Sequence, residues 1–471
     1  MPDFNGRRVL VLGLGDTGLS MTRWLARRGA QVRVADSRSE PPHAAVLARE
    51  LPEVPLSTGA FTDGLLRGAD LIAVSPGIDR RQPPLATAIG RGVPVVGDVE
   101  LFAQALAQAV SRPPSPGSPH ASGARPKVLA VTGTNGKSTV TAMAGAMCRA
   151  AGRETVVAGN IGVPVLDACA DVEAGAPAPQ VFVLELSSFQ LESTVTLAPD
   201  AAVMLNLTED HMDRYDGLAD YAAAKSRVFS GDGVQVLNRD DRWSMSMARA
   251  GRTILTFGRD APHTENEWGI GGGAPALMRG GKRLLAVDEL PVKGLHNAAN
   301  ALAAHALCSA LGLPDEATAA ALRSFAGLPH RLQKVGEIAG VPFYDDSKGT
   351  NVGATVAALR GMTQPVVLIA GGEGKGQDFA PLARALEGRA GMVVLIGRDA
   401  DAIARALAGT GVRIARAGGM DDAVRQAYAG ARPGDAVVLS PACASLDMFR
   451  NFAHRGDEFV AAVRRLEGGG R

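Results

Sequence analysis

Apolar, β-branched runs that end near glycine recur down this 471-residue chain, and they constrain its fold more than any other feature. VLVLGLG (9–15), QVRVAD (31–36), LIAVSPG (71–77) and PVVG (94–97) come first, with polar stretches of helical character between them. A tight turn cannot join two parallel strands, so such alternation calls for βαβ units in which a helix carries the chain back. The pattern restarts at KVLAVTGTNGKST (127–139), and VFVLELSS and AAVMLNL continue it as buried strands. A third series follows LPHR (328–331): VVLIAGGEGKG, MVVLIGRDA and AVVLSPACAS. The expectation is an α/β protein of three domains built on largely parallel sheets.

Composition places the breaks. SRPPSPGSPHASGARP, residues 111–126, holds five Pro, two Gly and four Ser, a mixture that buries no apolar surface and sets no sheet register. The expected organisation is a domain over 1–110, a linker over 111–126, a central domain over 127–327 and a C-terminal domain over 328–471. Glycine-rich text at 258–283 reads as loops or hairpins rather than core. Hydrophobic residues make up 46% and charged residues 21%, enough for each domain to bury a core. A net charge of +1 gives no attraction to nucleic acid or to an acidic membrane surface. The four Cys lie far apart without a CxxC pair, which argues against a disulfide framework or zinc knuckle and fits a reducing cytoplasm. No run of about 18 apolar residues is present, so membrane insertion is not expected. Of 49 basic residues only 8 are Lys, which draws attention to positions where a compact ammonium is needed.

The motifs carry the chemistry. Gly13-Leu14-Gly15-Asp16-Thr17-Gly18 follows a strand, and Asp36 ends the next, the spacing of a Rossmann-like dinucleotide fingerprint. Alone it suggests a nicotinamide-dependent dehydrogenase, or a glycine turn holding another nucleotide. Gly133-Thr134-Asn135-Gly136-Lys137-Ser138-Thr139 departs from the usual P-loop spacing, because Val131 stands where the first glycine belongs. Its mechanics still match: backbone N–H groups at a helix start cradle phosphates, Lys137 meets the outer phosphates and Ser138 meets Mg²⁺. The central domain is therefore expected to be a P-loop-type ATPase unit. Glu185 ends a buried strand, where an acid is costly unless a metal or donor compensates it. NLTEDHMDRY (206–215) clusters Glu209, Asp210, His211 and Asp213, and beside a phosphate loop such oxygens suit Mg²⁺. Lys225 sits in a helical stretch, where the plain alternative is a surface cation. Asn297 and Asn300 share a helix face. Arg331, Asp346 and Lys348 lie just beyond the second break, suited to an acyl or phosphoryl transition state. Lys375 and Ser445 follow C-terminal strands.

In order and spacing, GTNGKST, ELSSFQLE, NLTEDHMDRY, YAAAKSRVF, HNAAN, LPHR, DDSKGTN and SPACASLDMF resemble the Mur ligase family over essentially the whole chain. Folylpolyglutamate synthetases share the phosphate loop, so another amino-acid or polyglutamate ligase is the alternative; ELSSFQLE, TEDHMDRY and SPACASLDMF look most like the members that add D-glutamate. The resemblance implies ATP-driven amide formation in peptidoglycan precursor synthesis. D-glutamate would join UDP-N-acetylmuramoyl-L-alanine through an acyl phosphate, in a cytoplasmic monomer with these two small-molecule substrates as partners. It gives the first, Rossmann-like domain to the UDP precursor rather than NAD, through Thr17, Asp36, Ser37, Arg38, Ser75, Pro76 and Gly77, with Asn160, Ser187, Gln190 and His211. ATP contacts would come from Gly133 to Thr139, Asn297, Asn300, Arg331 and Asp346. Catalysis would rest on Lys137, Glu185, His211, Lys225 and Lys348. Two Mg²⁺ ions would use Ser138, Glu185, His211 and Lys225, the last as a CO₂-derived carbamate. A Rossmann-like C-terminal domain would hold D-glutamate with Thr350, Lys375, Ser445, Leu446 and Phe452.

Overall fold

The computed structural model describes residues 4–111, 125–173 and 177–469. Residues 112–124, most of the expected linker, lie outside the described residues.

Three sheets form, in chain order. The first holds β1 (Arg8–Leu12), β2 (Gln31–Asp36), β3 (Leu56–Thr58), β4 (Leu71–Val74) and β5 (Val95–Val96), ordered β3-β2-β1-β4-β5 and parallel throughout. The second holds β6 (Lys127–Thr132), β7 (Thr155–Gly159), β8 (Val181–Glu185), β9 (Ala201–Met204), β10 (Val234–Asn238), β11 (Ile254–Phe257), β12 (Glu267–Gly271), β13 (Ala276–Arg279) and β14 (Lys282–Ala286). Their order is β14-β13-β12-β11-β10-β9-β6-β8-β7. The third holds β15 (Gln333–Ile338), β16 (Val341–Asp345), β17 (Val366–Gly371), β18 (Ala390–Ile396), β19 (Arg413–Arg416) and β20 (Ala436–Leu439), ordered β15-β16-β20-β17-β18-β19. Only the β15–β16 pair in this sheet is antiparallel.

The strands read as expected because both faces of their parallel pairs are covered. Val9 to Leu12, Val128 to Val131, Val181 to Leu184 and Val366 to Ala370 are all buried. Residues 258–283 do form hairpins, β12–β13 and β13–β14. The expectation that they stay out of the core is corrected, since Trp268, Leu277 and Leu285 are buried. β12 pairs parallel to β11 and extends the central sheet, so its apolar side chains acquire a covered face. Trp268 is further pinned there by donating its indole N–H to His305 Nδ1 at 2.9 Å.

The chain divides into two compact units. One comprises Met1–Asn206, Tyr221–Ala286 and Ala301–Leu322; the other comprises Leu207–Asp220, Val287–Asn300 and Arg323–Arg471. The first two sheets belong to the first unit. Their joint combines apolar and polar contacts: Phe102 packs edge-on against Phe182, and Glu100, at the start of the helix Asp98–Ser111, accepts from the N–H groups of Val195 and Thr196 at 2.7 and 2.8 Å. Ser20 donates to Asp167 at 2.7 Å. In the second unit the third sheet is covered on both faces, by Leu382, Leu386 and Ile403 on one side and Ala427, Phe459 and Val463 on the other. All four Cys are free thiols. Among the described residues no helix is long and apolar enough to cross a membrane.

Candidate active site

In the first sheet the order of strand addition reverses between β1 and β4, and the glycine turn 13–18 sits at the carboxyl end of β1, where an open α/β sheet leaves a crevice. A Cβ on Gly18 would come within 1.7 Å of the Gly13 carbonyl oxygen, so only glycine lets the helix Asp16–Ala26 start this close to its strand. A Cβ on Gly15 would meet nothing within 4 Å, leaving that part of the turn open for a ligand. Asp36 differs from a ribose-binding acid. Its Oδ2 accepts from Leu14 N and Arg38 Nη2 at 2.7 and 2.6 Å, and its Oδ1 from Arg38 N and Nε at 2.9 and 2.8 Å. Burial alone would raise its pKa, but these donors hold it down, to about 2. With its lone pairs engaged, Asp36 positions Arg38 and the glycine turn and has little capacity left for a ribose hydroxyl.

A cavity of about 580 Å³ opens beside that turn, lined by Thr17, Pro76, Asn160 and Gln190 among others. It thus gathers four of the residues expected at the UDP precursor from both sheets of the first unit. Asp36, Ser37, Arg38, Ser75, Gly77 and Ser187 are not on its wall. Ser187 acts behind it: its hydroxyl caps the helix Ser188–Glu192 while the Gln190 side chain returns to the Ser187 N–H. Gln190 Nε2 faces Asp98 Oδ2 at 3.4 Å. The wall also includes the His43 imidazole and the Arg23 and Arg49 guanidinium groups, absent from the sequence reading because helical spacing does not reveal which face meets a cavity.

The second reversal lies between β6 and β9, and the loop 133–136 emerges at that point from β6. Gly136 has φ of 85° and caps the helix Lys137–Ala150, a left-handed conformation that favours glycine. Lys137 Nζ folds over the loop onto the carbonyls of Gly133 and Thr134 at 3.0 and 2.7 Å. Ser138 and Thr139 are buried in the first helical turn. Lys225 is 1% exposed, which rules out the surface-cation reading. Its Nζ donates to the same Gly133 carbonyl at 2.8 Å and lies 4.6 Å from the Tyr221 ring centroid. Two ammonium groups therefore converge on one carbonyl of the phosphate loop.

Glu185 ends β8 opposite Val131 of β6, two residues before the loop. Its Oε1 accepts from Asn160 Nδ2 at 2.8 Å, while its buried Oε2 has no hydrogen-bond partner. A buried orphan carboxylate oxygen at this edge suits a divalent cation that takes its remaining ligands from phosphates and water, as Mg²⁺ does. Ser138 is the neighbouring oxygen donor, and Lys225 can join only after losing its positive charge. The acidic run 209–213 does not build a metal cluster. Among the described residues no group of three or more His, Cys, Asp or Glu is placed to hold an ion. Glu209 instead accepts from the Asp378 N–H at 3.3 Å, and Asp210 pairs with Lys375. His211, expected on the metal, belongs to the second unit with φ of 58°.

Asn206 is the residue that sequence reasoning passed over. Its Oδ1 accepts from Asn135 N at 2.8 Å, its Nδ2 donates to Asn135 O at 3.0 Å, and its carbonyl accepts from Thr134 N at 2.8 Å. It fixes the phosphate loop from the end of β9. An amide directly after a buried strand, at a reversal of strand order, was the available signal.

In the second unit Asp346, Lys375 and Ser445 follow the carboxyl ends of β16, β17 and β20, while Asn297 and Asn300 lie on the helix Leu295–Ser309. Asp346 accepts from Ser440 Oγ at 2.7 Å and from Leu332 N at 3.2 Å. Burial pushes its carboxyl up to about 7, with Ser440 and the Arg331 charge pulling the other way. Lys348 Nζ stands 3.7 Å from the Phe452 ring centroid. Thr350 precedes Asn351, whose side chain caps the helix Val352–Gly361. Ser445 is buried and Leu446 exposed. Asn297 donates to Lys293 O at 2.8 Å and Asn300 to Asn297 Oδ1 at 3.3 Å. Arg455, fully buried, ties the loop ends together through Ser347 Oγ, Ser347 O and Cys443 O at 3.0, 2.8 and 3.0 Å.

Comparison with known proteins accounts for this arrangement. Residues 7–97 match the N-terminal domain of MurD-like Mur ligases, 131–308 the Mur ligase middle domain and 330–443 the Mur ligase glutamate ligase domain. The chain belongs to the Mur ligase family. A Mur ligase relative, UDP-N-acetylmuramoylalanine–D-glutamate ligase of Thiobacillus denitrificans, is 57% identical over 98% of this chain and 97% of its own. The enzyme of the same name from Methylobacillus flagellatus is 54% identical over 99% of both chains. Among solved Mur ligases, UDP-N-acetylmuramate-alanine ligase MurC of Thermotoga maritima superposes with a TM-score of 0.61 at 18% identity, covering 98% of this chain and 99% of its own, a likeness of fold.

Proposed function

We propose that this Mur ligase adds D-glutamate to UDP-N-acetylmuramoyl-L-alanine with hydrolysis of ATP to ADP and phosphate, in peptidoglycan precursor synthesis. The observation that carries the reading is whole-length identity of 50 to 57% to enzymes bearing that name, in a chain that retains the phosphate loop, Glu185 and Lys225. The proposed division of labour follows the limits 1–110, 127–327 and 328–471, for precursor, ATP and amino acid.

The chemistry begins with a carboxylate that resists amine attack because its oxygen is a poor leaving group. The L-alanyl carboxylate attacks the terminal phosphate, the bridging oxygen leaves with ADP, and an acyl phosphate results. The D-glutamate amine then attacks the acyl carbon, phosphate departs from the tetrahedral adduct, and the amine proton is lost. The loop N–H groups of 133–139 bind phosphate oxygens, held in shape by Asn206. Lys137, freed from the Gly133 and Thr134 carbonyls, neutralises charge on the transferred group. Mg²⁺, held by Glu185 and Ser138, would supply further charge stabilisation at those oxygens. Carbamylation of Lys225 is part of the proposal: CO₂ would turn a buried ammonium into a carboxylate within reach of the loop. The cavity holding Thr17, Pro76, Asn160 and Gln190 is the proposed precursor site. Lys348, Thr350, Lys375, Ser445, Leu446 and Phe452 are assigned to the amino acid and its attack, and Asn297, Asn300, Arg331 and Asp346 to ATP.

Phosphate release is measured with UDP-N-acetylmuramoyl-L-alanine, ATP, Mg²⁺ and each candidate amino acid in turn. Release with D-glutamate, and not with L-glutamate or other amino acids, is the expected result; none with D-glutamate would sink the assignment.

A further inference from the structure

Two amides on the wall of the precursor cavity share an arrangement that the proposed reaction does not explain. Asn160 and Gln190 both line it, and each turns its NH₂ group back onto a buried carboxylate. Asn160 Nδ2 donates to Glu185 Oε1 at 2.8 Å, and Gln190 Nε2 donates to Asp98 Oδ2 at 3.4 Å. Glu185 is accounted for by the proposed cation. Asp98 has no such part, although it is just as deeply buried and its Oδ1 has no hydrogen-bond partner among the described residues. A carboxylate left half-satisfied between two sheets costs stability, so its presence there points to a use.

The rest of Gln190 is fixed by other groups. Its Oε1 accepts from Ser187 N and Oγ at 3.2 and 3.3 Å, and its main-chain carbonyl accepts from Ser193 Oγ and Thr194 Oγ1 at 3.1 and 2.8 Å. These contacts leave the NH₂ end to be placed, and it carries two donors. Asp98 takes one. Burial raises the Asp98 pKa to about 6, so at pH 8 it is ionised and can only accept. Half a turn of the amide would set Gln190 Oε1 against that carboxylate and Nε2 against the Ser187 N–H, two repulsive pairs. We propose that Asp98 is a positioning residue for the UDP precursor: by holding one N–H of Gln190 it turns the other into the cavity, toward a carbonyl or hydroxyl oxygen of the precursor. All of these contacts lie within the first unit. The proposal rests on the reading of this cavity as the precursor site.

Binding of UDP-N-acetylmuramoyl-L-alanine is measured by calorimetry at pH 8 for the wild type, Asp98→Ala, Gln190→Ala and the double variant. Asp98→Ala is expected to raise the Kd about 5- to 15-fold, the scale of one hydrogen bond. In the Gln190→Ala background the same change should cost less than about twofold, because the group that Asp98 places is gone. The KM values for ATP and D-glutamate hold, which separates this effect from damage to the fold. Asp98→Asn keeps an acceptor facing Gln190 and should bind the precursor within about threefold of wild type. Unchanged affinity in Asp98→Ala overturns the proposal, and so do losses that multiply in the double variant. Should Asp98→Ala not fold, Asp98→Asn decides: a loss of about tenfold or more there, with the acceptor retained, also overturns it. Wild-type enzyme that does not bind the precursor would instead refute the functional reading.

Discussion

Asp98 gives the sharpest test of the joint between the first two sheets. It begins the helix Asp98–Ser111, is 1% exposed, offers Oδ2 to Gln190 Nε2 at 3.4 Å and leaves Oδ1 without a partner. Burial raises its pKa from 3.8 to about 6, against weaker opposing hydrogen bonds from Val99 N and Gln190. A carboxyl whose pKa is raised on folding favours the folded state fully below its unfolded pKa, and that contribution is lost as pH rises through the folded value. Two units at about 1.4 kcal/mol each make the loss about 3 kcal/mol in full, of which roughly 1.5 kcal/mol falls between pH 5 and pH 8. Asp98→Asn does not titrate, and its amide oxygen can still accept from Gln190. The variant should therefore gain stability relative to wild type by roughly 1.5 kcal/mol on going from pH 5 to pH 8, as read by urea unfolding at each pH. Steric or hydrogen-bonding differences between Asn and Asp cancel in that comparison because they do not vary with pH. A stability difference that is flat with pH, or that falls as pH rises, would refute the account of a buried carboxylate strained by its own charge.

Two further outcomes are expected. Asn206→Ala removes both side-chain hydrogen bonds to Asn135, a loss of about 2 kcal/mol in loop order that should raise the KM for ATP roughly 30-fold. The KM for the UDP precursor should stay put; equal effects on both substrates would mean that the loop is held elsewhere. Lys225→Arg keeps the positive charge but cannot form the carbamate, so phosphate release should fall roughly 100-fold or more, the scale of a misplaced catalytic group. Near wild-type activity would remove Lys225 from the mechanism.

Much of the scaffold was legible because its rules are local. A β-branched run followed by glycine and a polar helix specifies a strand, a turn and a crossover within some thirty residues. Parallel connection then obliges every such glycine to lie at the carboxyl edge of a sheet. That is why the turn at Gly13, the loop at Gly133 and the end of β8 at Glu185 could be read as a binding edge from spacing alone. Residues 258–283 were misjudged for the complementary reason. Glycine-rich text states that the chain turns often, but not that β12 will align with β11 and bury Trp268.

Sequence by itself determined the strand series, the phosphate loop and, through its motifs, the family. Tertiary structure alone decided which polar side chains meet. Asn135 and Asn206 are separated by 71 residues, Gln190 and Asp98 by 92, and Lys375 and Asp210 by 165. Propensity and periodicity act over a few turns of chain, whereas these pairs exist because packed sheets bring the ends of distant strands together. Asp210 shows the difference best. In the sequence it is one of several acids in NLTEDHMDRY, suited to magnesium; in the fold its burial against Lys375 turns it away from a metal and toward a cation of its own.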